Sequence, residues 1–344
     1  MTDTPPATPD EPAVMLIHHR GDMIAAIPTM LGFIPTDSAV IVGLRRSRIV
    51  AVARLNLAEV QHLAPGLARH GFLAPATTAE IVMTGPPDHL AAATPTRTDG
   101  GTVTADVSYA RQAAQLAAAL SSAGLQVTHT AWVPALAAGQ RWRCHDHHCG
   151  CGGVLPDPRS TPLAALAAVA GHVTYPNRQA LAETLRPDPE DLLHRRAALI
   201  ATLAARPADR QASLQRVRAA IARADSGELP ADDTDIAELA VALSDPRVRD
   251  ASLTHSLDGH ARAAQRLWTA LVRSTPAPHR AEPAVLLAVT AYLHGEGALV
   301  SIATDTALQA RPRHALAAVI QLALRAGLPP DDMRAAVAAL PHAG

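Results

Sequence analysis

The first 155 residues alternate between short apolar runs and segments whose apolar residues recur at helical spacing. The apolar runs typical of strands lie at 14–17, 38–44, 48–57, 80–85 and 126–133. The segments with helical spacing lie at 21–32, 58–71 and 106–124. Strands separated by helices predict an α/β fold with a mainly parallel sheet and flanking helices. The strands 38–44 and 48–57 are joined by only RRSR, so a hairpin there would make the sheet mixed.

After residue 155 the helical spacing is nearly continuous and is interrupted mainly by proline and glycine. The predicted helices lie at 161–171, 177–185, 188–204, 208–225, 232–243, 246–273, 281–293, 297–309, 312–326 and 330–340. Several begin at residues that cap helices well, such as Asn177, Asp245 and Asp331. The pattern predicts an all-α region. Its short helices after residue 281 fit either stacked helical hairpins or a small bundle, because no repeat of fixed length is evident.

These patterns divide the chain of 344 residues, which is long for one core, into a tail and two domains. Residues 1–12 are rich in proline and lack the basic and apolar regions of a signal peptide, so we expect a disordered tail. Residues 13–155 form the α/β domain, which ends in a cysteine and histidine knuckle, and residues 156–344 form the all-α helical domain. The chain contains no run of about 18 apolar residues, so no membrane span is predicted. We therefore expect a soluble cytoplasmic protein.

The charge balance bears on the class of partner. The formal net charge is −1, and all 30 basic residues are arginine. Nucleic-acid binding requires clustered positive charge to neutralise phosphates, and the net charge does not indicate it. Because the helical domain is built from short, alanine-rich helices, we expect it to contact a protein partner, and we expect no membrane association.

The stretch WRCHDHHCGCGG, at 142–153, contains every cysteine of the chain. Cys144, Cys149 and Cys151 are separated by four residues and then one, and three histidines lie between the first two. Zinc prefers thiolate and imidazole ligands in a tetrahedral shell. The neighbouring glycines allow the backbone to fold tightly enough for such a site. The stretch therefore predicts a structural zinc knuckle with three cysteines and one histidine, for which we take His147.

Other interpretations of the same stretch remain open. Cys144 and Cys149 would pack as small apolar groups, or form a bridge within a loop, with the histidines on the surface. Alternatively, one of these thiols would act as a nucleophile activated by an adjacent histidine. An iron–sulfur cluster requires four thiolates, and the chain has only three cysteines.

Several segments, taken in order, resemble one family. They are GFIPTDSAVIVGL (32–44), GQRWRCHDHHCGCGG (139–153), PDPRSTPLAALAAVAG (156–171), RVRDASL (247–253) and AEPAVLLAVTAYLHGEGALVSIATDTAL (281–308). Together they resemble the actinobacterial family known as domain of unknown function 4192. The resemblance covers nearly all of the chain after the tail. Because that family has no established activity, the resemblance implies relatives and no reaction.

The resemblance includes one departure at the cysteines. Where the family has an adjacent cysteine pair followed by proline, this chain has Cys149-Gly150-Cys151-Gly152. Cys144 and Cys149 match thiol positions of the family, and Cys151 is displaced. A metal site common to the family would therefore rest on Cys144 and Cys149, with the third thiol placed differently.

Two further segments contain polar groups next to predicted strands. His18 and Asp22 follow the strand 14–17, Asp37 directly precedes the strand 38–44, and Ser38 begins it. Such loops often line ligand pockets in α/β proteins. However, Asp22 is also a natural N-cap for the next helix, and Asp37 and Ser38 favour an ordinary turn. The pocket is therefore one of two interpretations of these four residues.

Two classes of function follow, and the sequence leaves open whether the protein is an enzyme. In the first class it is a binding or regulatory protein, in which a metal knuckle stabilises the α/β domain and the helical domain contacts a protein. In the second it is a metal-assisted hydrolase with a pocket at the strand ends. The second class requires the loops 18–22 and 35–38 to converge on Cys144. No dinucleotide-binding, P-loop or zinc-protease motif is present to favour an enzyme.

Overall fold

The computed structural model describes residues 19–46, 48–60, 73, 75–86, 109–144 and 149–340. The predicted tail and the predicted strand 14–17 lie outside these residues, as does most of the predicted helix 58–71. His18 and His147 also lie outside them.

Within the described residues, six strands form one sheet in the order β2-β1-β3-β4-β5-β6. The strands are β1 (Ser38–Arg45), β2 (Arg48–Asn56), β3 (Thr78–Thr84), β4 (Gln126–Val133), β5 (Arg141–Cys144) and β6 (Gly152–Val154). Only β3 and β4 pair in parallel, and the other neighbouring strands are antiparallel. The expectation of a mixed sheet is therefore confirmed over that of a mainly parallel one. The reason is that short connections, such as the one between β1 and β2, permit only hairpins.

In the part of the chain that the structure describes, one helix packs on each face of the sheet. Helix α1 (Arg20–Leu31) covers one face, and helix α2 (Tyr109–Ser122), which connects β3 to β4, covers the other. Alternate side chains of a strand point to opposite faces. Accordingly, Val40 and Val82 pack in the cluster that includes α1, whereas Ile41 and Ile81 pack in the cluster that includes α2.

The rest of the described chain is helical. Its α-helices are α3 (Pro162–Val169), α4 (Arg178–Glu183), α5 (Glu190–Ala204), α6 (Arg210–Asp225), α7 (Asp233–Leu243), α8 (Pro246–Ser252), α9 (Ala261–Ser274), α10 (Ala281–Leu293), α11 (Gly297–Ala310), α12 (Ala315–Ala326) and α13 (Pro330–Ala338). The prediction of one helix over 246–273 is wrong. Instead, α8 continues into a short 3-10 helix and ends before Gly259, where Asp258 accepts a backbone hydrogen bond in a turn.

Helix α10 lies at the centre of the helical region, and all its residues are buried. Its sequence is apolar on every side, which is typical of a helix enclosed by others. It contacts helices distant in sequence, including α7, α8 and α13. In a stack of hairpins each unit contacts only its neighbours. The arrangement is therefore a bundle around a central helix. Among the described helices, none combines the length and the apolar composition that crossing a membrane requires.

One carboxylate is buried inside this bundle. Glu282, in the first turn of α10, is only 2% exposed. It accepts hydrogen bonds from Arg249 and Arg311, and His314 Nε2 lies 3.1 Å from its Oε2. Burial acts to raise the pKa of Glu282, but His314 and Arg249 outweigh burial, so its pKa lies below its usual range. The bundle therefore neutralises its buried anion with cations of its own chain.

The sheet and the bundle are joined by backbone pairing after α1. Phe33 forms an isolated parallel bridge with Tyr175. The amide of Ile34 donates to the carbonyl of Tyr175 at 2.9 Å. Phe33 also packs in the core of the bundle, so the sheet contributes an apolar anchor to the helical region.

Candidate metal centre

The strands β5 and β6 form a hairpin that brings two cysteines face to face. Cys144 is the last residue of β5, and Cys151 immediately precedes β6. The amide of Cys144 donates to the carbonyl of Cys151 at 2.9 Å, which continues the ladder between the strands. Cys149 lies two residues before Cys151. The hairpin therefore places all three thiols at the end where β5 connects to β6.

Strand β4 adds a histidine beneath this hairpin. Ala131 of β4 pairs with Cys144 of β5, and His129 lies two positions earlier on the same face of the strand. His129 is buried, and its ring packs edge-on against Trp142 with centroids 6.3 Å apart. The ring therefore projects toward the thiols with a fixed orientation.

The four ligand atoms of Cys144, Cys149, Cys151 and His129 lie within 4.8 Å of one another. The Sγ of Cys144 lies 3.5 Å from Nδ1 of His129, and the Sγ of Cys151 lies 3.4 Å from Nε2. A metal ion would bind one of the two ring nitrogens, so one of these two distances is a separation between ligand atoms, for which tetrahedral bonds of about 2.1 to 2.3 Å give about 3.5 to 3.8 Å. The group can therefore hold a metal ion.

Cys149 and Cys151 are the most crowded pair in the group. Their sulfurs are 2.9 Å apart, whereas a disulfide bond is about 2.05 Å long, and the three cysteines form no disulfide. Around a tetrahedral ion these two sulfurs would separate by roughly 1 Å. Cys149 is exposed and lies in a turn, so its side chain has room to make this adjustment.

Crowding of the thiols also affects their ionisation. Burial, together with hydrogen bonds to Cys149 and Cys144, raises the pKa of Cys151 to about 12. These causes disfavour additional negative charge in the group. A bound cation reverses this balance, because a coordinating thiol is deprotonated outright.

An ion pair borders the group on the α1 side. Glu80 of β3 is in register with His129, and Arg20 donates to both of its carboxylate oxygens at 3.1 and 3.2 Å. Burial acts to lower the pKa of Arg20. The hydrogen bond and the charge of the Glu80 carboxylate, together with smaller electrostatic contributions from Cys151 and Cys149, outweigh burial. The pKa of Arg20 is therefore raised. The carboxylate nearest to His129 in the sheet is thus engaged by an arginine.

The glycines of the hairpin have the roles that a tight knuckle requires. Gly150 has φ +59°, in the left-handed region that glycine adopts without steric cost. A Cβ at Gly152 would lie 2.9 Å from the carbonyl oxygen of Trp142, so a side chain there would clash with the backbone of β5.

The structure brings the three predicted cysteines together and adds a ligand that sequence reasoning missed. The prediction of His147 concerns a residue outside the described part of the chain, so it stays a prediction. Among the described residues, His129 supplies the imidazole. One signal was available in the sequence, since His129 interrupts an otherwise mostly apolar face of β4. Its meaning depends on the pairing of β4 with β5, which spacing alone does not reveal.

Asp37 and Ser38, two of the other predicted site residues, do not lie near the cysteines. Ser38 pairs with Thr84 at the end of β3. Thr84 is four residues from Glu80, which pairs with His129, so Ser38 lies about 13 Å along the strands from the level of His129. The Ser38 hydroxyl donates to the Thr36 carbonyl and accepts from Arg54 Nε, as in an ordered turn. Asp37 precedes Ser38 at this distant end, where its carbonyl accepts from the amide of Leu57.

Asp22 lies at the opposite end of α1 from that turn. The prediction that Asp22 caps this helix is wrong, because the helix begins earlier and His19 occupies the cap position. Asp22 instead lies in the first turn, where a negative charge interacts favourably with the helix dipole. The hydrolase hypothesis requires the loops 18–22 and 35–38 to converge on Cys144. The loop 35–38 is remote from Cys144, because Asp37 and Ser38 lie at the distant end of the strands.

Comparison with known proteins identifies relatives at the level of a family. A search of curated proteins and a search of solved structures each found no similar protein. A family model described as "Domain of unknown function (DUF4192)" matches residues 21–331. This match includes β1 to β6, the cysteine hairpin and the helical bundle as far as the start of α13. The chain therefore belongs to the domain of unknown function 4192 family.

Proposed function

We propose that this chain is a binding protein whose sheet carries a structural zinc knuckle formed by Cys144, Cys149, Cys151 and His129. The observation that supports this proposal is the convergence of four ligand atoms within 4.8 Å, from one hairpin and one neighbouring strand. The helical bundle is the part that contacts a protein partner.

The donor set favours zinc over other metals. Three thiolates and one imidazole are a common shell of structural zinc sites. Calcium and magnesium prefer oxygen ligands, and a cluster of iron and sulfur normally requires four thiolates. Reduced thiols persist in the cytoplasm, which is the location we propose for the protein.

The closed shell favours a structural role over a catalytic one. Catalytic zinc sites use three protein ligands and leave the fourth position to water or substrate. Here four protein side chains are available to fill the shell, and the adjacent Glu80 is bound by Arg20. The metal-assisted hydrolase therefore lacks support from the described residues, and a binding or regulatory role remains.

The position of the knuckle explains what the metal would stabilise. Strand β6 is short, and all three of its residues are exposed. Strand β6 pairs with β5 at only three residues, so this pairing adds little stability beyond the burial of Trp142. A metal joining both strands to β4 would fix this end of the sheet, because metal binding is coupled to folding.

Metal analysis of purified variants tests the proposal. Protein purified under reducing conditions should contain close to one equivalent of zinc by inductively coupled plasma mass spectrometry. His129→Asn should lose most of it. His194→Asn, at an exposed position of α5, serves as the matched control and should retain it. His147→Asn should also retain the metal, because His129 provides the imidazole.

Two results would contradict the proposal. The first is less than about a tenth of an equivalent of any metal in the unmodified protein. The second is full retention of zinc in His129→Asn together with its loss in His147→Asn, which would assign the ligand to His147.

A further inference from the structure

A large cleft lies between the sheet and the helical bundle, away from the cysteine hairpin. Its volume is about 1060 Å³, at the upper end of the range for small-molecule sites. One side is formed by the end of α1 and by β2, and the other by α3, α9 and the turn between α10 and α11. The cleft therefore lies where the two parts of the chain meet, which is a common place for ligands.

Much of the lining is apolar and open to solvent. Val50, Leu166, Val173 and Leu229 all line the cleft, and all four are among the exposed large apolar residues. Helix α3, which supplies Leu166, consists almost entirely of apolar residues and has no buried position. Exposed apolar side chains gathered around one concavity indicate a surface that an apolar ligand covers.

Helix α9 adds positive charge along the same cleft. Arg262, Arg266 and Arg273 all line it, and spacings of four and seven residues place them on one face of the helix. Among the described lining residues, Glu296 is the single acidic side chain. Three guanidinium groups therefore face one carboxylate, although the net charge of the whole chain is −1.

The one carboxylate is already engaged inside the cleft. Glu296 accepts from Arg262 at 3.0 Å and from Gln265 at 2.6 Å, and Nδ1 of His172 lies 2.8 Å from it. Burial and the charge of Arg262 lower the pKa of His172 and of His294, which disfavours additional positive charge in this group. This group is therefore balanced without the remaining arginines.

Arg266 and Arg273 are less well compensated. Arg266 is exposed and donates to the backbone carbonyl of Ala224, and no described carboxylate forms an ion pair with it. Arg273 is exposed and lies 3.9 Å from Asp188, at the limit of an ion pair. An anion bound between them would add charge-assisted hydrogen bonds.

We propose that this cleft binds a small amphipathic anion, with its apolar body against Leu166 and Val50 and its carboxylate or phosphate group toward Arg266 and Arg273. The apolar lining accounts for the body of the ligand, and the surplus arginines account for its charge. The binding site is independent of the metal centre.

Calorimetry with defined probes tests both halves of the proposal. Decyl phosphate and decanoate, each below its micelle concentration, should bind with a stoichiometry near one. Decan-1-ol and decyltrimethylammonium should bind at least about tenfold more weakly, because each lacks the negative charge that charge-assisted bonds require.

Matched variants assign the binding to the cleft. Arg266→Gln/Arg273→Gln should weaken decyl phosphate binding at least about tenfold, since the charge-assisted hydrogen bonds to the anion would be lost. Arg206→Gln/Arg313→Gln removes two exposed arginines outside the lining and should leave the affinity unchanged. Likewise, Leu166→Ser should weaken binding, whereas Leu322→Ser, exposed elsewhere, should not.

Three outcomes would overturn this proposal. In the first, neither decyl phosphate nor decanoate binds. In the second, the cleft variants and the control variants lose affinity equally. In the third, the protein binds only to phosphatidylglycerol vesicles in sedimentation. The last outcome would assign the apolar surface to a membrane. Circular dichroism melting of each variant confirms that the fold is retained, and an unchanged zinc content separates this result from the state of the metal centre.

Discussion

Two polar clusters in this molecule handle charge in opposite ways. In the bundle, the buried carboxylate of Glu282 is bound by Arg249, Arg311 and His314, and its pKa is lowered. At the corner of the sheet, three thiols face one another and an imidazole, and the pKa of Cys151 is raised.

The difference is one of complementarity. The first cluster contains both signs of charge, so it is balanced by the chain alone. The second contains four donor atoms of the kind that bind a cation, and the nearby cation, Arg20, is paired with Glu80. A cluster whose charge the chain does not balance indicates a ligand. A cluster whose charge is balanced by the chain's own residues indicates a structural role.

Removing the metal ligands should have the largest effect. Cys144→Ser/Cys149→Ser should lose zinc and lower the free energy of unfolding by about 4 kcal/mol, the stabilisation expected at a free metal concentration 1,000 times Kd. Urea denaturation with and without a chelator measures this difference. The chelator should destabilise the unmodified protein and leave the variant unchanged. Equal stability of the two proteins in the absence of chelator would contradict a structural metal.

Removing the buried carboxylate should have the next largest effect. Glu282→Gln leaves buried cationic partners without their anion, which typically costs about 3 kcal/mol. Glu190→Gln is the matched control, because Glu190 and its partner His194 are both highly exposed. The control should change stability by less than about 0.5 kcal/mol. Metal content should be unchanged in both variants, which separates the two clusters.

Acid should reduce the advantage that Glu282 provides. The pKa of Glu282 is lowered by folding, so its contribution is fully present above the unfolded value of about 4.5. This contribution is lost as pH falls through the lower folded value. The difference in unfolding free energy between the unmodified protein and Glu282→Gln should therefore shrink as pH falls below about 4. A difference that grows as pH falls below about 4 would reverse the sign of this account.

Changing the hairpin backbone should have the smallest effect. Gly150→Ala places a side chain at φ +59° and should lower stability by about 1 kcal/mol while the metal is retained. Gly259→Ala is the control, since Gly259 lies outside the left-handed region and no atom lies near its added Cβ. Thermal melting with zinc analysis distinguishes local strain from loss of the site. If Gly150→Ala left the stability unchanged, the hairpin backbone would accommodate the side chain without strain.

Much of the fold could be predicted because periodicity reports local structure. The strands 38–44 and 126–133 and the central helix 281–293 lie close to their observed bounds. The choice between a parallel and a mixed sheet could not be made from periodicity, because it depends on which strands pair. The break at Gly259 was missed because the apolar spacing continues on both sides of it.

The site was predictable only where its ligands are close in sequence. Cys144, Cys149 and Cys151 lie within eight residues, and the glycines around them favour a tight turn. His129 lies on a separate strand, and its position depends on the register of Ala131 with Cys144. Asp37 and Ser38 are close in sequence to a strand, which was consistent with a pocket. In the structure they form a turn at the opposite end of the strands from the cysteines.

Zinc-edge X-ray absorption on the purified protein tests the central claim most directly, because it counts the atoms bound to the metal. The proposed knuckle predicts three sulfur atoms at about 2.3 Å and one nitrogen at about 2.0 Å. A shell of oxygen and nitrogen atoms without sulfur would contradict the knuckle and leave the three thiols without a metal.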